Sequence, residues 1–322
     1  MSGKSNWGIC GGLLMGLLAA CAVSVFVGTA RVPVAEMFQS GIIHLRVARI
    51  LLAIVAGAGL SVSGVVFQAL LRNPLAEPYV LGVSSGAGLG AVAAILLNLN
   101  SLGAWTLPAM AFIGALGTIL LVCALAREVG GVTPVHTLLL SGVMVSAVFG
   151  SILMFLVSLS SSEDAHNVLW WLLGNLQIFD WGLLRVAAIV VGFGVLTTVA
   201  LARDLNLMTL GEEQAAHLGL DVERTKRRFL LLASLMTGAA VAACGLIGFV
   251  GLIVPHSVRM TIGPNHRFLV PAAALAGATF LVLADSLART APVEIPIGVV
   301  TAFLGGPFFF YLLRRKKHSG WG

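Results

Sequence analysis

The chain has 322 residues, of which 58% are hydrophobic and only 10% charged, with a mean hydropathy of +1.01 and a formal net charge of +6. Soluble domains run near about 45–50% apolar and about 25% charged. So few polar side chains cannot cover a water-facing surface, which excludes a soluble globular domain. The positive balance does not indicate nucleic acid, because the basic residues lie between apolar runs, where membrane orientation accounts for them.

A helix needs about 20 apolar residues to cross about 30 Å of hydrocarbon. In chain order, runs of that kind fall near 8–28, 49–70, 80–98, 107–126, 135–158, 181–202, 228–246, 247–262, 270–288 and 296–313. The first lacks a small-residue cleavage site ahead of a soluble domain, so it reads as a span and not a signal peptide. Pro255, His256 and Arg259 interrupt the eighth, the weakest of the ten. A β-barrel would show alternating segments of about ten residues, half the length of these runs. The 38 glycines suit close helix contacts in lipid. The expectation is an all-α integral membrane protein, about ten transmembrane helices in one tightly packed bundle, with 1–322 forming a single domain. Cys10, Cys21, Cys123 and Cys244 lie in apolar runs without CxxC spacing and read as small hydrophobes.

Lys and Arg set the orientation. With the N-terminus inside, fourteen fall on the inner side: Lys4, Arg72, Arg127, Arg203, Arg224, Lys226, Arg227, Arg228, Arg259, Arg267, Arg314, Arg315, Lys316 and Lys317. Five fall outside: Arg31, Arg46, Arg49, Arg185 and Arg289. Both termini are then cytoplasmic in a multi-pass protein of the cell (inner) membrane. Between spans two and three, RNPLAEPYVLGVSSGAGLG (72–90) becomes a cytoplasmic turn broken by Pro74 and Pro78. Its glycines and serines enter span three, allowing close packing or an irregular first turn.

The longest hydrophilic segment, 203–228, mixes Leu210, Ala215, Leu218 and Leu220 with Glu212, Glu213, Gln214 and His217. That pattern predicts one or two short amphipathic helices, broken at Gly211 and Gly219. It is either a solvated linker or a docking surface for a soluble partner.

Catalytic signals are missing. GAGLG (86–90) follows no strand and is mis-spaced for a dinucleotide fingerprint, and GKS (3–5) has no preceding strand or glycine to make a phosphate loop. No catalytic constellation or metal-ligand spacing is visible. Ionisable residues within spans are few, Asp285, Glu294, His256 and Arg259 among them. An ion-coupled carrier usually displays several, so the energy for any transport is expected from elsewhere.

Four long blocks carry a family resemblance: RVARILLAIVAGAGLSVSGVVFQALLRNPLAEPYVLGVSSGAGLGA (46–91), LGEEQAAHLGL (210–220), GLIGFVGLIVPHSVRMTIGPNHRFLVPAAALAGA (245–278) and LADSLARTAPVEIPIGVVTAFLGGPFFFYLL (283–313). In that order they resemble the membrane permease subunit of binding-protein-dependent (type II) ABC importers for iron–siderophores, haem and vitamin B12. The resemblance implies a vitamin B12 permease-like bundle paired with a second copy or a close paralogue. It also implies two ABC ATPase subunits that bind the ATP and Mg, leaving no cofactor in this chain, and an extracytoplasmic substrate-binding protein. Membrane lipid is the surrounding partner, and nucleic acid is not expected.

Carried over by residue, Leu210, Gly211, Glu212, Ala215, Leu218 and Gly219 would seat in the ATPase and make 203–228 the coupling segment. Arg46 and Arg49 before span two and Arg289 after span nine would receive acidic residues of the binding protein, with lipid-headgroup anchoring the alternative. Arg31 and Arg185 are expected only to anchor. Asn73, Pro74 and Leu75 would form a cytoplasmic gate with Val135, His136 and Thr137, although the second trio differs in residue type from the family. Asn73 also fits an ordinary cap beside Pro. Iron–siderophore is the expected cargo, with haem and cobalamin open. The alternative is a stand-alone ion-coupled secondary transporter.

Overall fold

The computed structural model describes residues 3–28, 41–128, 131–177, 180–291 and 293–318. Arg31 lies outside the described residues, as do the side chains of Lys4, Arg315, Lys316 and Lys317. Among the described residues there are thirteen α-helices and no strand. They are α1 (Gly3–Phe26), α2 (Ile42–Leu70), α3 (Val83–Leu96), α4 (Thr106–Ala126), α5 (Val135–Ser158), α6 (Ser162–Leu172), α7 (Trp181–Ala200), α8 (Ala202–Met208), α9 (Glu212–His217), α10 (Val222–Cys244), α11 (Val250–Ile262), α12 (His266–Ala288) and α13 (Ile297–His318).

Seven of these, α1, α2, α4, α5, α7, α10 and α12, are long and apolar enough to cross a bilayer. α3, α11 and the apolar part of α13 (Ile297–Phe310) are shorter. Together these ten occupy the ten apolar runs in order.

Helix α2 is the axis of the bundle. It packs on α12, α10, α11 and α7, and nearly every residue from Leu52 to Leu70 is buried or half-buried. A second layer, α3 with α4 and α5, joins the first through α10. In lipid no hydrophobic force draws helices together, so close backbone approach has to do it. Gly86 and Gly114 show this at the α3–α4 crossing, where a methyl group on either would strike the backbone of the other. The small residues of GVSSGAGLG therefore serve close packing.

Several boundaries differ from the sequence reading. Helix α2 starts at Ile42, so Arg46 and Arg49 lie on its first turns and not ahead of it. Helix α10 starts at Val222, which brings Lys226 into a long helix instead of a loop. Pro255 sits inside α11 as its sixth residue, where its missing N–H leaves Gly251 O without the usual donor four residues on. Helix α6 was not foreseen. The Ser161 hydroxyl accepts from Asp164 N (3.1 Å) and caps it.

After α2 the chain turns back into the bundle. A 3-10 turn over Pro78–Leu81 packs against α5 and α10. The Tyr79 hydroxyl donates to Ile247 O (3.0 Å) and accepts from Ile247 N–H (3.1 Å). Glu77 Oε1 accepts from Phe249 N–H at 2.7 Å. These bonds pin the break between α10 and α11, where Phe249 adopts a left-handed φ of 68°, a conformation that needs outside support in a bulky residue.

Candidate functional site

At one end of the bundle, α7 gives way to α8 and then α9, with turns between. Gly211 has φ 118° and ψ 153° and Gly219 has φ 85°, backbone shapes that favour glycine, so the two expected breaks are the two turns flanking α9. Ala215 is fully buried, in a cluster with Leu205, Met208, Leu138, Phe229 and Leu230. Leu210 (51% exposed) and Leu218 (60%) stand out from the surface. One small residue anchors the segment while two large apolar ones are left uncovered. Glu212, by contrast, bonds inward: its Oε2 lies 3.0 Å from Lys226 Nζ.

Val135 and His136, at the start of α5, face the same place. With Arg72, Pro134 and Leu210 to Gln214 they line a groove of about 420 Å³. The structure thus brings two of the three residues expected at the second gate beside those expected to couple to an ATPase. Thr137 Oγ1 donates to Glu128 Oε1 (3.2 Å) instead.

Asn73, Pro74 and Leu75 adjoin Arg72 but are not among that groove's lining residues. Asn73 Oδ1 accepts from Leu75 N–H at 3.0 Å, and Asn73 O accepts from Ala76 N–H at 3.0 Å. This is a side-chain-stabilised turn, which lets the chain reverse just before Pro74. Burial holds the Glu77 carboxyl above its ordinary value, with the Phe249 N–H bond pulling partly back.

The three outer-set arginines meet at the opposite end of α2. Arg49 Nε lies 2.7 Å from Asp285 Oδ1, and its Nη1 bonds Glu294. Arg289 Nε is 2.9 Å from Asp285 Oδ2, at ion-pair distance without hydrogen-bond alignment. Arg289 also donates to Val27 O (2.8 Å) and to Ser24 Oγ (2.6 Å). Arg46 donates to Val25 O at 2.8 Å. Arg46 and Arg289 are buried, and Arg49 nearly so. They tie the end of α1 to α2 and α12, a binding duty that the sequence reading did not assign. Arg185 is exposed and lies apart on α7.

Sequence reasoning singled out Asp285 and Glu294 but did not pair them with Arg49, which lies 236 and 245 residues away. The pairing of Asp285 with Arg289, four residues on at the end of the same helix, was legible in the spacing and was missed. It also missed Lys226, since that residue was placed in a hydrophilic loop.

Known proteins fit this architecture. The FecCD transport family matches residues 16–315. The cobalamin import system permease protein BtuC of Halobacterium salinarum is 47% identical over 273 residues, covering 85% of this chain and 73% of that protein. The Fe(3+) dicitrate transport system permease protein FecD of Escherichia coli is 40% identical over 312 residues, covering 93% of this chain and 96% of that one. A metal-chelate type ABC transporter solved in an inward-facing conformation superposes with a TM-score of 0.87 at 32% identity, covering 96% of this chain and 99% of that one. The chain belongs to the FecCD transport family, the multi-pass membrane permeases of ABC importers for metal chelates, haem and cobalamin.

Proposed function

We propose that this permease imports a ferric siderophore, driven by ATP hydrolysed in a separate subunit. It works with a second copy of itself or a close paralogue, two ABC ATPases beneath, and a binding protein outside. ATP and Mg belong to the ATPases, and this chain needs no cofactor. Both termini and α9 face the cytoplasm of the inner membrane, as the Lys and Arg bias predicts.

The observation that carries this reading is α9, where Ala215 is seated in the core and Leu210 and Leu218 are left bare in the motif LGEEQAAHLGL. Large apolar side chains uncovered outside the bilayer suit a protein partner. ATP binding and hydrolysis shift that segment, and the groove it shares with Val135 and His136 gives the shift a route to the gate, which Asn73, Pro74 and Leu75 complete.

At the other end, Arg49 and Arg289 pair with Asp285 and Glu294, and Arg46, bonded to Val25 O, adds an excess of one positive charge. That excess supports docking of acidic residues of a binding protein through the local field, while the side chains themselves are held inside.

The test is co-purification of this chain with its ABC ATPase, followed by ATP-dependent uptake of labelled ferric siderophore, haem and cobalamin in the presence of the binding protein. Uptake of the ferric siderophore in preference to the other two supports the cargo assignment. Preference for cobalamin or haem overturns it and leaves the importer intact.

A further inference from the structure

Lys226 is 1% exposed although it sits in the first turns of α10. Its ammonium has three protons, and the structure offers three acceptors: Thr133 O at 2.6 Å, Glu212 Oε2 at 3.0 Å and Glu223 Oε1 at 3.0 Å. These acceptors come from three places. Glu223 is on α10 itself, Glu212 opens α9, and Thr133 belongs to the short connection that leads into α5. Glu223 Oε1 also accepts from Thr133 N–H at 3.1 Å, so both backbone groups of Thr133 are held. Two residues later α5 begins, with Val135, His136 and Thr137.

A buried ammonium that loses its partners is costly, so the three segments are constrained to move together. A push on α9 has a short, stiff route to the start of α5. The groove shared by Leu210, Glu212, Val135 and His136 shows that the two segments adjoin on the surface as well.

We propose that Lys226 is the positioning residue that transmits movement of α9 to the start of α5, and that Glu212 is its inward strut and not a contact to the ATPase. This rests on the coupling role proposed above for 203–228. Because Glu212 and Lys226 act as one link, removing either breaks it, and removing both does no further harm. A pair that merely held the fold together would change yield and melting temperature but leave the uptake obtained per ATP hydrolysed unaltered.

The experiment uses the whole transporter, with ATPase and binding protein, reconstituted in liposomes. It compares Glu212→Ala, Lys226→Met, the double variant and Leu218→Asp, measuring retention of the ATPase and cargo taken up per ATP. The expected result is that the ATPase co-purifies with the first three while uptake per ATP falls at least about fivefold in each, the double variant being no worse than the lower single. Should Lys226→Met fail to accumulate, Glu212→Ala carries the test, since Glu212 is 30% exposed and its loss leaves the ammonium two acceptors. Loss of the ATPase on Glu212→Ala, with normal uptake per ATP in Lys226→Met, overturns the link. So does normal coupling in both singles when Leu218→Asp is uncoupled. Normal coupling in all four overturns the parent reading as well.

Discussion

Arg49 and Asp285, 236 residues apart in the chain, meet in a 2.7 Å ion pair where α2 passes the end of α12. Asp285 is 1% exposed and lies between two guanidiniums, those of Arg49 and Arg289. Breaking one side of such a group leaves buried charge uncompensated, at a cost of about 3–5 kcal/mol. Asp285→Ala should therefore lower the melting temperature in detergent sharply, and Asp285→Asn should lower it less. Equal melting of Asp285→Ala and wild type would show that the network holds nothing together. For the same reason Arg289→Glu, set against Asp285, reports on folding more than on docking.

Leu218 and Ala215 lie three residues apart with opposite exposure, 60% against 0%. Leu218→Asp should fold normally and uncouple ATP hydrolysis from uptake. Ala215→Asp should disturb the segment itself, because an unpaired carboxylate would be forced among Leu205, Met208 and Phe229. Circular dichroism with ATPase and uptake assays separates the two. Stimulated, fully coupled hydrolysis in Leu218→Asp would remove α9 as the coupling element.

Glu77 tests the clamp on the α10–α11 break. Glu77→Ala leaves the Phe249 N–H without its acceptor, costing about 1–3 kcal/mol. Glu77→Gln keeps an acceptor oxygen and avoids burying a charge. Because burial raises the folded-state pKa of Glu77, its protonated form is the one the fold favours. That contribution is present at low pH and is lost as pH rises through the raised value. Melting curves should therefore show Glu77→Gln gaining on wild type as pH increases. A difference that does not change with pH would contradict the assignment.

Gly114→Leu should separate α3 from α4, since even a methyl group there meets the Gly86 backbone. Overpacking of this kind costs about 1–3 kcal/mol. The variant should show faster proteolysis of the α3–α4 region, whereas Gly117→Leu, with open space beside it, should behave as wild type.

The ten apolar runs were legible because lipid imposes length and composition on any helix that crosses it. Gly211 and Gly219 were legible as breaks because their backbone shapes favour glycine. Lys226 was not, because a lysine among RTKRR looks like loop surface, and only α9 and Thr133 folding over it make it buried. Arg46, Arg49 and Arg289 stood out as exceptions to the expected inside bias of Lys and Arg. Arg49 finds Asp285 and Glu294, and Arg289 finds Ser24, far along the chain, where spacing carries no signal. Only Asp285 with Arg289, four residues apart at the end of α12, had a local one. Helix α6 had a local sign, Ser161 with Asp164 three residues on, in a capping pattern ahead of VLWWL.

Purified permease in proteoliposomes, with and without its ATPase and binding protein, puts the central claim to its most direct test. Concentrative uptake of cargo should require both partners and ATP, and should survive collapse of the proton and sodium gradients. Uphill uptake by the permease alone, driven by an ion gradient, would contradict the account.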